Sequence, residues 1–168
     1  MKHLFTKIII FIALLLSQST AFAQIIDSSF YQWTVYEIEG DELQEKKCYM
    51  VAHPIKSETD NEARQKPYVI ITRYQNRRIE EVGVNAGFEY KENGKVLLSI
   101  DDVKFQLYSN HEMAWAKNKN DDVALIQKLL HSSVLKVRAD SAIGNFAVDE
   151  YSLKGITKAY SRVREICK

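Results

Sequence analysis

From residue 33 onward, apolar and polar residues alternate in short runs, each bounded by Gly, Pro, Asn or Asp, and a period of two marks half-buried strands. Residues 33–39 are aromatic and β-branched and end at Gly40-Asp41. Residues 48–53 place Cys48, Met50 and Ala52 on one face and Tyr49, Val51 and His53 on the other, and Pro54 stops the run. Residues 56–66 are polar and read as a surface loop. Residues 68–74 are apolar on both faces apart from Thr72 and Arg73, which predicts a central strand covered on both sides. Segments 79–84, 87–91, 96–100 and 103–109 follow as hairpins, turning at Asn93-Gly94 and near Asp101-Asp102. In the last of these, Val103, Phe105 and Leu107 face one way. Strands at 134–139 and 146–151 close the series around Ile143-Gly144-Asn145.

Two segments change to helical spacing. Asp121 and Asp122 suit a helix N-terminus, and Val123, Ile126, Leu129 and Leu130 recur on one face behind them. At the C-terminus, Ile156, Ala159, Tyr160, Val163, Ile166 and Cys167 form an apolar stripe opposite Lys158, Ser161, Arg162 and Glu165. With no strand–helix–strand alternation, the pattern predicts a mainly β fold. The expected architecture is a two-sheet antiparallel β-sandwich with a short internal helix and a C-terminal helix.

The leading residues follow a different rule. Lys2, His3 and Lys7 precede an unbroken apolar run, residues 8–16, followed by polar Ser17 to Thr20 and Ala21-Phe22-Ala23. That order predicts a signal peptide, 1–23, cut between Ala23 and Gln24. The run is shorter than the ~20 apolar residues needed to cross a bilayer. The mature chain is then expected in the periplasm or secreted, or associated with the outer membrane, as a single domain, 24–168, with no transmembrane segment.

Removing the leader takes two lysines from 23 basic residues, leaving 21 against 22 acids, so the net charge moves from +1 to −1. A near-neutral chain carries no footprint for nucleic acid, which calls for a basic face. The one basic concentration, Arg64, Lys66, Arg73, Arg77 and Arg78, reads as a solvated loop and strand edge, with a contact patch for an acidic partner as the alternative. Cys48 and Cys167 are the two cysteines, and an exported chain favours one disulfide over two buried free thiols.

Candidate chemistry is sparse. His53, His111 and His131 lack metal-ligand spacing, and His111-Glu112-Met113-Ala114-Trp115 has Trp115 where a zinc-protease helix needs its second histidine. A turn leading into a strand near Met113 fits better. The pairs Asp101-Asp102 and Asp121-Asp122 suit turn and helix-start roles better than a calcium loop or a glycosidase pair. No Gly-x-Ser-x-Gly elbow occurs, and Cys48 as a nucleophile conflicts with its expected bond. Nine tyrosines and two tryptophans could form a sugar- or peptide-binding platform, although aromatics at strand spacing more often pack as core or cross-strand pairs. No catalytic residue, cofactor or metal is expected.

Several short motifs recur in a telling order: Trp33-x-Val35-Tyr36, Cys48-Tyr49 with Pro54 six residues on, Lys66-Pro67-Tyr68-Val69-x-x-Thr72-Arg73, Glu81-Val82-Gly83-Val84 before Gly87-Phe88, Ile100-Asp101, Phe105-x-Leu107, Ala114-Trp115, and Asp149-x-Tyr151-Ser152-Leu153-x-Gly155 with Cys167 near the end. Together they resemble the invasion-associated locus B family of small exported bacterial proteins, over nearly the whole mature chain. The resemblance implies a β-sandwich and supports pairing Cys48 with Cys167, but supplies no catalytic residues. Basic residues common in that family between the positions of Ser141 and Gly144 are replaced by Ala142 and Ile143, and Ser133 stands where a glycine is common. The function expected is a non-enzymatic binding protein whose partner is an envelope or host-surface protein. A hydrolase with an unrecognised site and an envelope-maintenance factor are the alternatives.

Overall fold

Alternation along the chain is realised as strands whose inward residues are almost all apolar. The computed structural model describes residues 24–41, 44–77, 79–92 and 94–168. The expected signal peptide, Arg78 and Asn93 lie outside them. Among the described residues are eleven strands and two helices: β1 (Gln24–Phe30), β2 (Trp33–Ile38), β3 (Lys47–Ala52), β4 (Lys56–Thr59), β5 (Tyr68–Tyr74), β6 (Ile79–Asn85), β7 (Lys95–Ile100), β8 (Val103–Asn110), β9 (Met113–Trp115), α1 (Lys119–Leu130), β10 (Val134–Asp140), β11 (Phe146–Ser152) and α2 (Ile156–Ile166).

All pairings are antiparallel, and the strands form one continuous sheet in the order β1-β2-β3-β5-β6-β9-β8-β7-β10-β11-β4. The fold is mainly β with a short internal helix and a C-terminal helix, as the pattern predicts. What differs is continuity. The three-residue strand β9 pairs with both β6 and β8, so the two layers expected as separate sheets are halves of one sheet folded over a single core.

The halves meet through specific contacts. Trp33 on β2 is fully buried and donates its indole N–H to the Ser152 carbonyl of β11 at 3.2 Å. Arg64 reaches from the loop after β4 to Asp149 on β11, with nitrogen–oxygen distances of 2.5 and 2.9 Å, and also donates to the Ala86 carbonyl. Both charges are buried, with side chains 6% and 1% exposed, so each depends on the other for compensation. Ser57 adds a hydrogen bond to the same carboxylate. The hydroxyl of Tyr151, beside this pair, is the one buried side-chain polar atom without a hydrogen-bond partner among the described residues.

Helix α2 closes one end of the core. Gly155 takes φ +93° at its N-cap, a left-handed turn in which any Cβ would collide with the Phe30 carbonyl. Ile156, Ala159 and Val163 are buried, as the stripe predicts. Cys167 then bonds Cys48 on β3, with Cα atoms 5.8 Å apart. Closing a loop of 119 residues destabilises the unfolded chain by about 4–5 kcal/mol in the chain-entropy picture. Arg162 secures the outer side of the helix through two hydrogen bonds to Asp27 on β1.

Four local expectations are corrected. Residues 56–59 form a strand, β4, because they pair with β11 from Ala147 to Glu150, and polar side chains suit an exposed sheet edge. Residues 87–91 form no strand, and Tyr90 makes an isolated bridge to Ser141 instead of a hairpin with β7. Helix α1 begins earlier, at Lys119, because Asn118 caps it by accepting from the amides of Asn120 and Asp121. Its buried face is Asp122, Leu125, Ile126 and Leu129, whereas Val123 is exposed. The fourth correction, on β5, creates the candidate site.

Candidate binding surface

Strand β5 lies in the sheet interior, between β3 and β6, as expected. Its inward residues, Val69, Ile71 and Arg73, are buried. Its outward residues, Tyr68, Ile70, Thr72 and Tyr74, lie under no helix or second layer among the described residues; they line an open hollow of about 450 Å³.

Register explains how the hollow is built. Tyr36 on β2, Tyr49 on β3 and Thr72 on β5 stand directly opposite one another across the strands. The next row outward is Ile38, Lys47 and Tyr74, and the row on the other side is Thr34, Val51 and Ile70. Thr72, Val51 and Ile70 therefore make a low floor, and four taller tyrosines, at 36, 49, 68 and 74, stand around it. We call this the tyrosine bowl. The Tyr36 and Tyr49 rings stack 5.1 Å apart at 14°, and His53 meets Tyr68 edge-on at 6.4 Å. Burial, with Tyr36 and Tyr68 adding to it, pushes the Tyr49 hydroxyl up to about 12, so it stays protonated at neutral pH. Lys47 lies 5.7 Å from the Tyr74 ring centroid, and Arg77 covers that ring at 4.2 Å.

A second hollow, also about 450 Å³, adjoins the bowl beyond β6 and is lined by Glu81, Trp115, Lys117, Lys119 and Asp122 among others. Gly83 lies between Ile70 and Trp115 in register, and a Cβ there would come 2.6 Å from the Trp115 ring. Glycine thus lets the indole lie flat against the sheet. Asp122, on the first turn of α1, accepts a hydrogen bond from the Val82 amide at 2.8 Å. Burial, reinforced by the Glu81 and Asp121 charges, pushes its carboxyl up to about 6, while the Val82 bond works the other way.

Other candidates from the sequence are dispersed. His53 hydrogen-bonds the Pro67 carbonyl at 2.7 Å, His111 sits in the exposed β8–β9 turn at φ +54°, and His131 caps α1 and bonds the Gln127 carbonyl. Residues 111 and 112 turn into β9, as the failed zinc motif suggests. No group of three or more His, Cys, Asp or Glu side chains gathers among the described residues. Asp101 turns at φ +51° and pairs with Lys128 at 2.7 Å.

Folding divides the basic concentration between the interior and the surface. Among its described members, Arg64 is buried against Asp149 and Arg73 donates inward to the Cys167 carbonyl and Glu80, whereas Lys66 and Arg77 are exposed, Arg77 in a pair with Glu45. Cys48 and Cys167 are consumed by their bond. No helix among the described residues is long and apolar enough to cross a membrane.

Tyr36, Tyr49 and Tyr68 appear in the motifs behind the resemblance, but neither those motifs nor the general prospect of an aromatic platform grouped them with Tyr74 and Lys47 as one site, although a signal was present. In each of residues 33–38, 47–52 and 68–74, tyrosines alternate with core residues and so share the opposite face. Comparison with family models, with curated proteins and with solved structures finds no match to this chain.

Proposed function

We propose that this chain is an exported, non-enzymatic binding protein of the invasion-associated locus B type. It works in the periplasm or at the bacterial surface and takes an envelope or host-surface protein as its partner. The observation that carries this reading is the bowl: four half-buried tyrosines and an aliphatic floor, on a sheet face that no helix or second layer covers among the described residues. Tyrosine suits such a surface because it offers area and a hydroxyl at little conformational cost. The resemblance adds the class of protein, and the apolar leader adds the compartment.

Affinity capture from envelope and host-cell-surface fractions tests the reading. The intact chain should retain a partner that the double variant Tyr36→Ser, Tyr49→Ser loses while keeping its fold. Equal retention by both removes the bowl from the function.

A second reading has its own observation. Asp122 and Glu81 are two carboxylates facing one hollow beside Trp115, and Asp122 is held partly protonated near neutral pH, an arrangement suited to acid–base hydrolysis. Hydrolysis of any envelope polymer that disappears in Asp122→Asn would favour it over binding.

A further inference from the structure

We propose that the tyrosine bowl takes a carboxylate-bearing saccharide displayed by the partner, an assignment that rests on the binding reading above and names what the bowl recognises. Three observations narrow the occupant. First, β2, β3 and β5 each have a neighbour on both sides, so the main chain beneath the bowl is spent in the sheet. An extended peptide lying there would find no main-chain partners for its own amides, and its unpaired polar groups would count against it.

Second, the rim offers what sugars use. A pyranose ring has an apolar C–H face that packs on an aromatic ring and hydroxyls around its edge. Tyr36 and Tyr49 present rings, and neither hydroxyl has a hydrogen-bond partner among the described residues. A purely apolar guest would leave both hydroxyls unsatisfied as it excluded water.

Third, the lining carries one cation and no anion: Lys47 is among the residues that line the bowl and has no acidic partner among the described residues, while the nearest carboxylate, Glu81 on β6, faces the Tyr74 hydroxyl at the rim. Neighbouring Lys46, by contrast, is paired with Glu37. A sugar carboxylate near the Lys47 ammonium would make a charge-assisted hydrogen bond at the end of the bowl.

Titration calorimetry of the purified processed chain tests this with three probes: sialyllactose, trigalacturonic acid and neutral lactose. At least one acidic sugar should bind more tightly than lactose, and Lys47→Met should weaken it about tenfold while leaving lactose unchanged. Tyr49→Ser should weaken all sugars, with unfolding curves verifying that each variant is folded. The proposal falls if no sugar binds, if Lys47→Met has no effect on the acidic sugars, or if an oligoglutamate peptide binds in their place. If no sugar binds but partner capture still depends on Tyr36 and Tyr49, the binding function stands and only the saccharide assignment is lost.

Discussion

Strands β2, β3 and β5 have two faces that look alike in composition and differ in what they do. Inward, Trp33, Val35, Met50, Val69 and Ile71 are shielded completely by the other half of the sheet and by α2. Outward, Tyr36, Tyr49, Val51, Ile70 and Tyr74 are half-buried, mostly by one another. The inner face spends its apolar surface on stability, and the outer face keeps it available. The inner face also holds its charge in a closed pair, Arg73 of β5 with Glu80, whereas the outer one leaves Lys47 without an acidic partner among the described residues. Hydrophobic content along a strand is therefore no guide to burial unless something is present to cover it.

The contrast can be broken from the inside with large effects on stability. Replacing both Cys48 and Cys167 by Ala should cost about 4–5 kcal/mol, read by denaturant unfolding with and without reductant, since the closed loop is long. Arg64→Met should cost about 3–5 kcal/mol because it strands Asp149 in the core. Neither change touches the bowl, so ligand binding by the folded fraction should persist.

Asp122 sits between the two regimes, buried yet facing a hollow. Its folded value, about 6, lies above the ordinary 3.8, so the folded chain takes up its proton first. Stability should therefore rise as pH falls from about 6 towards 4, and the cost of the buried charge is fully present above that window. Asp122→Asn removes the charge and retains an acceptor for the Val82 amide. It should add roughly 1–3 kcal/mol at pH 8 and flatten that part of the pH–stability curve.

The smallest stability effect belongs to the bowl. Tyr49→Ser removes one cross-strand ring pair and should cost about 1 kcal/mol or less. Binding, in contrast, should fail. A loss of several kcal/mol would mean that the outer tyrosines are core after all, and the two faces would no longer differ in role.

Much of the fold was legible because period-two alternation reports local geometry directly: the inward set Cys48, Met50 and Ala52, and the stripe of α2, follow from spacing. Strand β4 was not legible, because its residues 56–59 are polar and only their partner β11 makes them a strand. The rotated face of α1 escaped for a related reason: Asp122 occupies a buried position and is satisfied by a main-chain amide forty residues away in sequence. The bowl was half legible. Alternation placed the tyrosines together, but that no layer among the described residues covers them depends on where the other half of the sheet folds. The Asp149–Gly155 segment, one of the motifs behind the resemblance, occupies the inner joint: Asp149 holds Arg64, the Ser152 carbonyl takes the Trp33 indole, and Gly155 opens α2. That motif reports the scaffold, and the bowl lies on the opposite side of the sheet.

Site-directed photocrosslinking tests the central claim most directly. A photoreactive side chain placed at Thr72, in the bowl floor, or at Lys104, an exposed position on β8, would be activated in cells producing the chain or in contact with host cells. The account predicts a defined crosslinked partner from position 72, lost when Tyr36 and Tyr49 are replaced by Ser, and none from position 104. The same partner from both positions, or from 104 alone, would contradict it.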